Sequence, residues 1–172
     1  MPQIKPPLNK WHVRYWTLAR VWAACSKDPN TRVGAVAIGD NGRPLSLGYN
    51  GFPRGVTDSR DRLDDRKIKL GLIVHAEKNC IYNAGLCGVP LQGALMYIHG
   101  CPVCHECAKG IIQAGFKSVY ATFPLKYIEE SNDPSVLEWL ESQELAKTLF
   151  DEAGVQYNWF PSVNIEATEI LP

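Results

Sequence analysis

The sequence contains no apolar run approaching the roughly 20 residues that a membrane-spanning helix requires. Its first residues, Met1-Pro2-Gln3-Ile4-Lys5-Pro6-Pro7, have none of the apolar core of a secretory leader. Neither charge is in excess, with Lys+Arg and Asp+Glu at 18 each. Such a balance exerts no global pull towards nucleic acid or an anionic membrane, although a local basic patch is compatible with it. No internal repeat or low-complexity tract interrupts the chain. These absences set aside a membrane span and make a nucleic-acid partner the less favoured expectation. What is present suits one domain, 1–172, with a sizeable core: 172 residues, of which 45% are hydrophobic. Six cysteines without a leader point to thiols and metal rather than disulfides, and hence to a cytoplasmic protein.

Residues 1–9 are proline-rich and read as an extended segment. From Lys10 to Ser26, the residues Trp11, Tyr15, Leu18, Ala19, Trp22 and Ala23 recur at helical spacing, an aromatic stripe expected to face the core. Asp28-Pro29-Asn30 then breaks the helix. Residues 33–38 and 43–49 read as strands joined by the turn Gly39-Asp40-Asn41-Gly42. The stretch 56–70 is dense in mixed charge, which suits either a solvated helix or loop, or a lid supplying cations to a phosphate. Further strands are predicted over 91–99, 117–123 and 155–160. Helices are predicted from His75 to about Gly85, from Cys104 to Gly115, and over 135–153. Strand–helix–strand alternation in the second half predicts parallel pairing within a mixed sheet. The tail, 161–172, reads as a mobile segment or a strap over a neighbouring subunit.

The densest chemistry lies between residues 73 and 107. One imidazole, His75, and two sulfurs, Cys104 and Cys107, make three soft zinc ligands with a fourth position free. That is the donor set of a catalytic rather than a structural zinc. At i and i+3 of a helix start the two sulfurs share a face, and the positive end of the helix favours thiolate. His75 and Glu77, at i and i+2, share no helix face, so they converge only if they sit at a helix start. Cys101-Pro102-Val103-Cys104 is a rival Cys-x-x-Cys pair that leaves Cys101 as an alternative ligand. Cys25, Cys80 and Cys87 are expected to be small buried hydrophobes. The loop 48–55, with its three glycines, is either a connector exploiting glycine's freedom or a loop whose backbone approaches a ligand.

His-x-Glu followed by Pro-Cys-x-x-Cys is the known signature of zinc-dependent nucleobase deaminases; this chain departs from it by Val103, between Pro102 and Cys104. Residues 26–35 (Ser-Lys-Asp-Pro-Asn-Thr-Arg-Val-Gly-Ala), 48–55 (Gly-Tyr-Asn-Gly-Phe-Pro-Arg-Gly) and Val74-His75-Ala76-Glu77 follow one another as in deoxycytidylate (dCMP) deaminases. Residues 146–155 resemble the final helix and strand of that family, and the resemblance covers residues 11–160. It implies a three-layer α/β/α fold of the cytidine-deaminase type, with a mixed five-stranded sheet and helices on both faces. It implies one catalytic Zn2+ on His75, Cys104 and Cys107, with Glu77 as the proton shuttle. Asn50, the backbone of Ala76, Arg32 and Tyr127 are the implied substrate contacts. Gly48, Tyr49, Gly51 and Arg54 are the implied effector loop, for a nucleoside triphosphate accompanied by Mg2+. A homohexamer with dCTP activation and dTTP inhibition is implied as well.

The expected reaction is hydrolytic deamination of dCMP to dUMP and ammonia, in pyrimidine deoxynucleotide metabolism. Zinc lowers the pKa of water to around 7, and Glu77 carries protons to the ring and the leaving amine. The alternatives are another cytosine nucleotide, such as dCTP or a 5-modified dCMP, and a base within nucleic acid. A non-catalytic zinc or redox module using Cys101 and Cys104 is the reading furthest from these residues, because it has no use for Glu77.

Overall fold

A computed structural model of the chain describes residues 9–124 and 134–161. Helix α1, Lys10–Ala23, is opened by Asn9, whose side-chain oxygen accepts the amide of Trp11. The helix ends before the predicted Ser26, because the amides of Cys25 and Ser26 turn back to the carbonyls of Trp22 and Ala23. Its buried face is Val13, Trp16, Ala19 and Ala23; Ala19 and Ala23 belong to the predicted stripe, and Tyr15 and Leu18 of that stripe pack against the same core, whereas Trp11 does not. Trp16, absent from that stripe, is the buried tryptophan, and its Nε1 donates to the carbonyl of Tyr120 at 3.1 Å. Trp11 lies 47% exposed in the first turn, near Tyr15 and under the Arg14 guanidinium.

Strands β1, Gly34–Ile38, and β2, Pro44–Tyr49, form the expected hairpin, closed at Gly42 with φ +76°. Two short helices follow, α2 (Arg60–Asp64) and α3 (Arg66–Leu72), then α4 (Ala76–Leu86) and β3 (Leu95–His99). β3 starts later than predicted. Gly93, at φ +76°, turns the chain and donates its amide to the carbonyl of Gly115 at 2.7 Å, so residues 91–94 are spent on a turn. Helix α5 (His105–Gln113), β4 (Ser118–Phe123), α6 (Pro134–Ala153) and β5 (Gln156–Pro161) complete the described chain. The five strands form one sheet in the order β2-β1-β3-β4-β5. β1 runs antiparallel to both neighbours, and β3, β4 and β5 are parallel, each joined to the next through a helix.

Alternation along the strands divides the core in two. Ala35, Ala37, Met96, Ile98, Val119, Ala121 and Trp159 face α4, α5 and α6. Val36, Ile38, Tyr97 and Phe160 face the other way, onto Trp16 and Ala19 of α1. The result is the three-layer arrangement, a mixed sheet with helices on both faces. Small residues set the layer spacing. A Cβ on Gly34 would stand 2.0 Å from the carbonyl oxygen of Ala19 and 2.6 Å from the amide nitrogen of Ala23. Because β1 is antiparallel to β3, Gly34 pairs with His99. The start of β1, the end of β2, the end of β3 and the starts of α4 and α5 therefore gather at one end of the sheet. Among the described residues no helix is long and apolar enough to cross a membrane.

Two predictions follow from this packing. Gly34→Ala forces α1 off the sheet, an overpacking cost of about 2 kcal/mol that lowers Tm by about 4–8 °C in a chain of this size. A thermal melt indistinguishable from the parent would show that α1 does not rest on this glycine. The second concerns His12, whose Nδ1 lies 2.9 Å from the Tyr97 hydroxyl and whose pKa is lowered from 6.5 by burial. The folded chain then takes up this proton at lower pH than the unfolded chain, so the stability contribution is complete above pH 6.5 and declines as pH falls below it. Urea unfolding of His12→Gln should lose less stability than the parent between about pH 7.5 and 5.5; an equal loss would remove His12 from the account.

Candidate metal centre and active site

Helix α4 begins without a side-chain cap. His75 occupies the N-cap in extended backbone, φ −68° and ψ 154°, and Glu77 falls in the first turn. That is the helix start at which residues two apart can converge. The approach to it is pinned by an antiparallel bridge in which the amides of Gly51 and Val74 bond each other's carbonyls, at 3.1 and 2.8 Å. Helix α5 begins at Cys104, also in extended backbone but with a side-chain cap, its sulfur accepting the amide of Cys107 at 3.4 Å. The two helix starts meet. His75 Nδ1 lies 3.5 Å from Cys104 Sγ and 3.3 Å from Cys107 Sγ, and all three ligand atoms fall within 4.8 Å of one another.

This donor set fits zinc on geometry as well as on softness. Tetrahedral bonds of about 2.3 Å to sulfur and 2.05 Å to nitrogen separate the ligand atoms by roughly 3.5 Å. Cys101 lies outside the group of three. The additional Val103 is absorbed inward: its side chain is fully buried, and its amide donates to the Tyr157 hydroxyl at 3.3 Å. The spacing departure therefore leaves both Cys104 and Cys107 at the cluster. Of the other thiols, Cys80 is buried and its pKa is pushed up to about 12 by desolvation. Cys25 and Cys87 are exposed, contrary to expectation, because they sit in the turns that follow α1 and end α4.

Glu77 is 3% exposed and packs into the same corner. Desolvation raises its pKa, opposed by the charge of His75 and by hydrogen bonds from its own amide and the Cys107 thiol. Cys104 moves the other way: hydrogen bonds from Cys107 and from His75 hold its thiol well below the usual range. Burial thus works against ionisation of the carboxyl while hydrogen bonds favour ionisation of the neighbouring sulfur.

The surrounding predicted residues are placed unevenly. Asn50 is buried, with Oδ1 accepting the amide of Val33 and Nδ2 donating to the carbonyl of Thr31, both at 2.8 Å. Its side chain clamps the loop before β1 and leaves one N–H without a partner among the described residues. Arg32 is exposed, with Nε donating to the carbonyl of Asp28 at 3.3 Å. The Ala76 carbonyl packs against Gly48: a Cβ there would stand 2.4 Å from that oxygen and 2.3 Å from the Cys80 amide nitrogen. Gly48 is therefore accounted for by the closeness of α4 to β2. Tyr49 is partly exposed and its carbonyl accepts Nδ2 of Asn79 at 2.8 Å. Gly51 carries the bridge to Val74. Arg54 reaches Oδ1 of Asn83, about 9 Å along α4 from Glu77 by helix rise. Tyr127 lies outside the described residues.

Sequence reasoning missed Asp28 and Lys69. Local pattern makes Asp28 part of a helix break and of the 26–35 resemblance, and Lys69 one charge in a run that suits either a solvated segment or a lid. Most of that run is exposed, as expected, but Lys69 is buried with Nζ 3.0 Å from Asp28 Oδ1. Nothing in local spacing distinguishes it from Lys67. A second concavity, about 470 Å3, lies at the opposite end of the sheet beside His12, Tyr15, Tyr97 and Lys117. Its polar atoms are paired with one another, His12 with Tyr97 and Lys117 with Asp40.

Residues 9–123 match the family model described as the cytidine and deoxycytidylate deaminase zinc-binding region. An uncharacterized deaminase of Aliivibrio fischeri is 36% identical over 154 residues, covering 90% of this chain and 96% of its own. The deoxycytidylate deaminase of Homo sapiens is 33% identical over 159 residues, 88% of this chain and 80% of its own. Among solved structures, the dCMP deaminase of cyanophage S-TIM5 in complex with dCMP and dUMP superposes with a TM-score of 0.63. At 22% identity, over 92% of this chain and 100% of that one, this likeness carries the fold.

The Gly48 contact generates a prediction. Gly48→Ala must lift α4 from β2, displacing His75 and Glu77 together, and should weaken zinc retention by about 10–100-fold. Competition with a chelator measures it, and an unchanged zinc affinity would show that the α4–β2 spacing does not position the cluster.

Proposed function

This chain belongs to the zinc-binding cytidine and deoxycytidylate deaminase family, and from that membership we propose that it converts dCMP to dUMP and ammonia. The observation that carries the reading is the meeting of a buried Glu77 with His75, Cys104 and Cys107 at two converging helix starts. His75 Nδ1 and the sulfurs of Cys104 and Cys107 would hold the metal. Zinc, when bound there, supplies a Lewis acid that brings the pKa of water to around 7.

Glu77 takes one proton from the attacking water and gives it to N3, then takes the remaining proton of the new C4 hydroxyl and gives it to the amine, which leaves as ammonia while the C4 carbonyl forms. Its desolvation suits the first half of that cycle, since a carboxylate whose pKa is raised by burial is a better acceptor for the water proton. The start of α4 carries no side-chain cap, and the backbone about Ala76 is assigned to the edge of the base. Arg32 is assigned to the phosphate, where a guanidinium can bond two oxygens at once, and Asn50, with its spare N–H, to the sugar. Tyr127 is assigned to the substrate by resemblance.

The same reading extends to the rest of the family pattern. The loop carrying Gly48, Tyr49, Gly51 and Arg54 is assigned to a nucleoside triphosphate effector with Mg2+, dCTP activating and dTTP inhibiting. The assembly is a homohexamer and the compartment the cytoplasm. Balanced charge supports a free nucleotide over nucleic acid as the substrate.

Ammonia release should be measured with dCMP, dCTP, deoxycytidine and a cytosine-containing oligonucleotide, on zinc-loaded protein. Selective turnover of dCMP is expected. Glu77→Gln should retain zinc while turnover falls about 10²–10⁴-fold or further. Turnover of the oligonucleotide alone would reverse the substrate assignment, and a fully active Glu77→Gln would remove the proton shuttle.

A further inference from the structure

Among the ion pairs of the described residues, only Lys69 with Asp28 has both side chains more than nine-tenths buried, at 8% and 4% exposure. Taking two charges out of water costs several kcal/mol for each, and an apolar pair of similar volume often serves stability as well or better. A buried pair therefore calls for a reason in geometry, and the geometry here is specific. Asp28 Oδ1 accepts Nζ of Lys69 at 3.0 Å, the amide of Asn30 at 2.8 Å and the amide of Thr31 at 3.1 Å. The Asp28 carbonyl accepts Nε of Arg32. Ser26 accepts the Asp28 amide and donates to the carbonyl of Asn50, whose side chain in turn bonds Thr31 and Val33.

Lys69 thus stands at the root of a closed network that ends on Arg32 and Asn50. It also sits on α3, which feeds directly into Val74 and His75. The far side of the loop lies against the segment leading to the cysteines: a Cβ on Gly100 would stand 2.3 Å from the carbonyl oxygen of Arg32. One ammonium therefore ties the helix that delivers His75 to the loop that delivers Arg32. With its Nε committed to Asp28, the Arg32 guanidinium is turned as a unit by the shape of that loop, leaving its terminal nitrogens to meet an anion.

We infer that Lys69 is a positioning residue for recognition of the substrate phosphate. Through Asp28 it holds the 28–33 loop so that Arg32 presents its terminal nitrogens to the phosphate. This rests on the proposed nucleotide substrate and deepens it, since it names the device that reads the phosphate rather than the base.

The test is calorimetric binding of dUMP and of deoxyuridine, which lacks the phosphate, to zinc-loaded protein. The variants are Lys69→Met, Lys69→Arg, Asp28→Asn and the charge-free double Lys69→Met/Asp28→Asn, with zinc content and Tm recorded for each. Lys69→Met should weaken dUMP about tenfold, the scale of one charge-assisted contact, and leave deoxyuridine unchanged. Lys69→Arg should recover most of the affinity. The double variant, free of an unpaired buried charge, should regain Tm over Lys69→Met yet still bind dUMP weakly, which a merely structural role would not produce. Equal weakening of both ligands, unchanged dUMP binding in Lys69→Met, or recovery of Tm and affinity together in the double variant would each overturn the assignment, as would a parent protein that does not bind dUMP. Because binding of the product is read without turnover, a parent that binds dUMP but releases no ammonia from dCMP would count against the reaction and not against Lys69.

Discussion

Helix α4 meets strand β2 backbone to backbone at Gly48, with no side chain between them. Around that contact the outer strand is covered by polar groups of the helix. Asn79 and Asn83, one turn apart, donate to the carbonyls of Tyr49 and Leu47, at 2.8 and 2.7 Å. Ser46 of the strand donates to the carbonyl of Cys80 at 2.7 Å. An edge strand that would otherwise present unpaired carbonyls is closed by a helix packed against it. The same bonds set the height and rotation of α4, and so where His75 and Glu77 point. Since α5 packs on the same face of the sheet, its two cysteines arrive at the same place.

At that place two effects of burial run in opposite directions. Two helix starts bring the positive ends of their dipoles, and the Cys107 amide donates to the Cys104 sulfur, which favours the thiolate form. Desolvation works against ionisation of Glu77, which has no cationic side chain from Lys or Arg against it among the described ion pairs. Side chains a few ångströms apart are thereby held in different protonation tendencies, the condition for dividing ligand and proton-carrier roles among groups of similar chemistry. The loop 26–33 adds the third component, a set of short hydrogen bonds around Asn50 and Asp28 that stiffens the wall beside the cluster.

Much of this was legible before any coordinates. Hydrophobic period, turn residues and glycine stops locate the five strands and helices α1, α4, α5 and α6, because those signals are local, whereas α2 and α3 lie in a charged run that reads equally as helix, loop or lid. The pairing of His75 and Glu77 could be reasoned from helix geometry alone. The errors share a cause. In α1 the pattern places Ala19 and Ala23 correctly but picks Trp11 over Trp16, because the two are equally apolar and only the position of the sheet decides which one it covers. Cys25 and Cys87 were expected inside on composition, yet they fall in turns with nothing packed over them. Lys69 was one charge among many until Asp28, 41 positions away in sequence, was brought to it.

By itself the sequence determined the donor set, the order of the elements and the family, since these depend on residue type and near-neighbour spacing. Only the tertiary structure decided which cysteines meet His75, how the extra Val103 is accommodated, and that Gly48 serves the spacing of α4. Those outcomes depend on distances between segments remote in the chain, set by sheet register and close backbone packing, which no local pattern encodes.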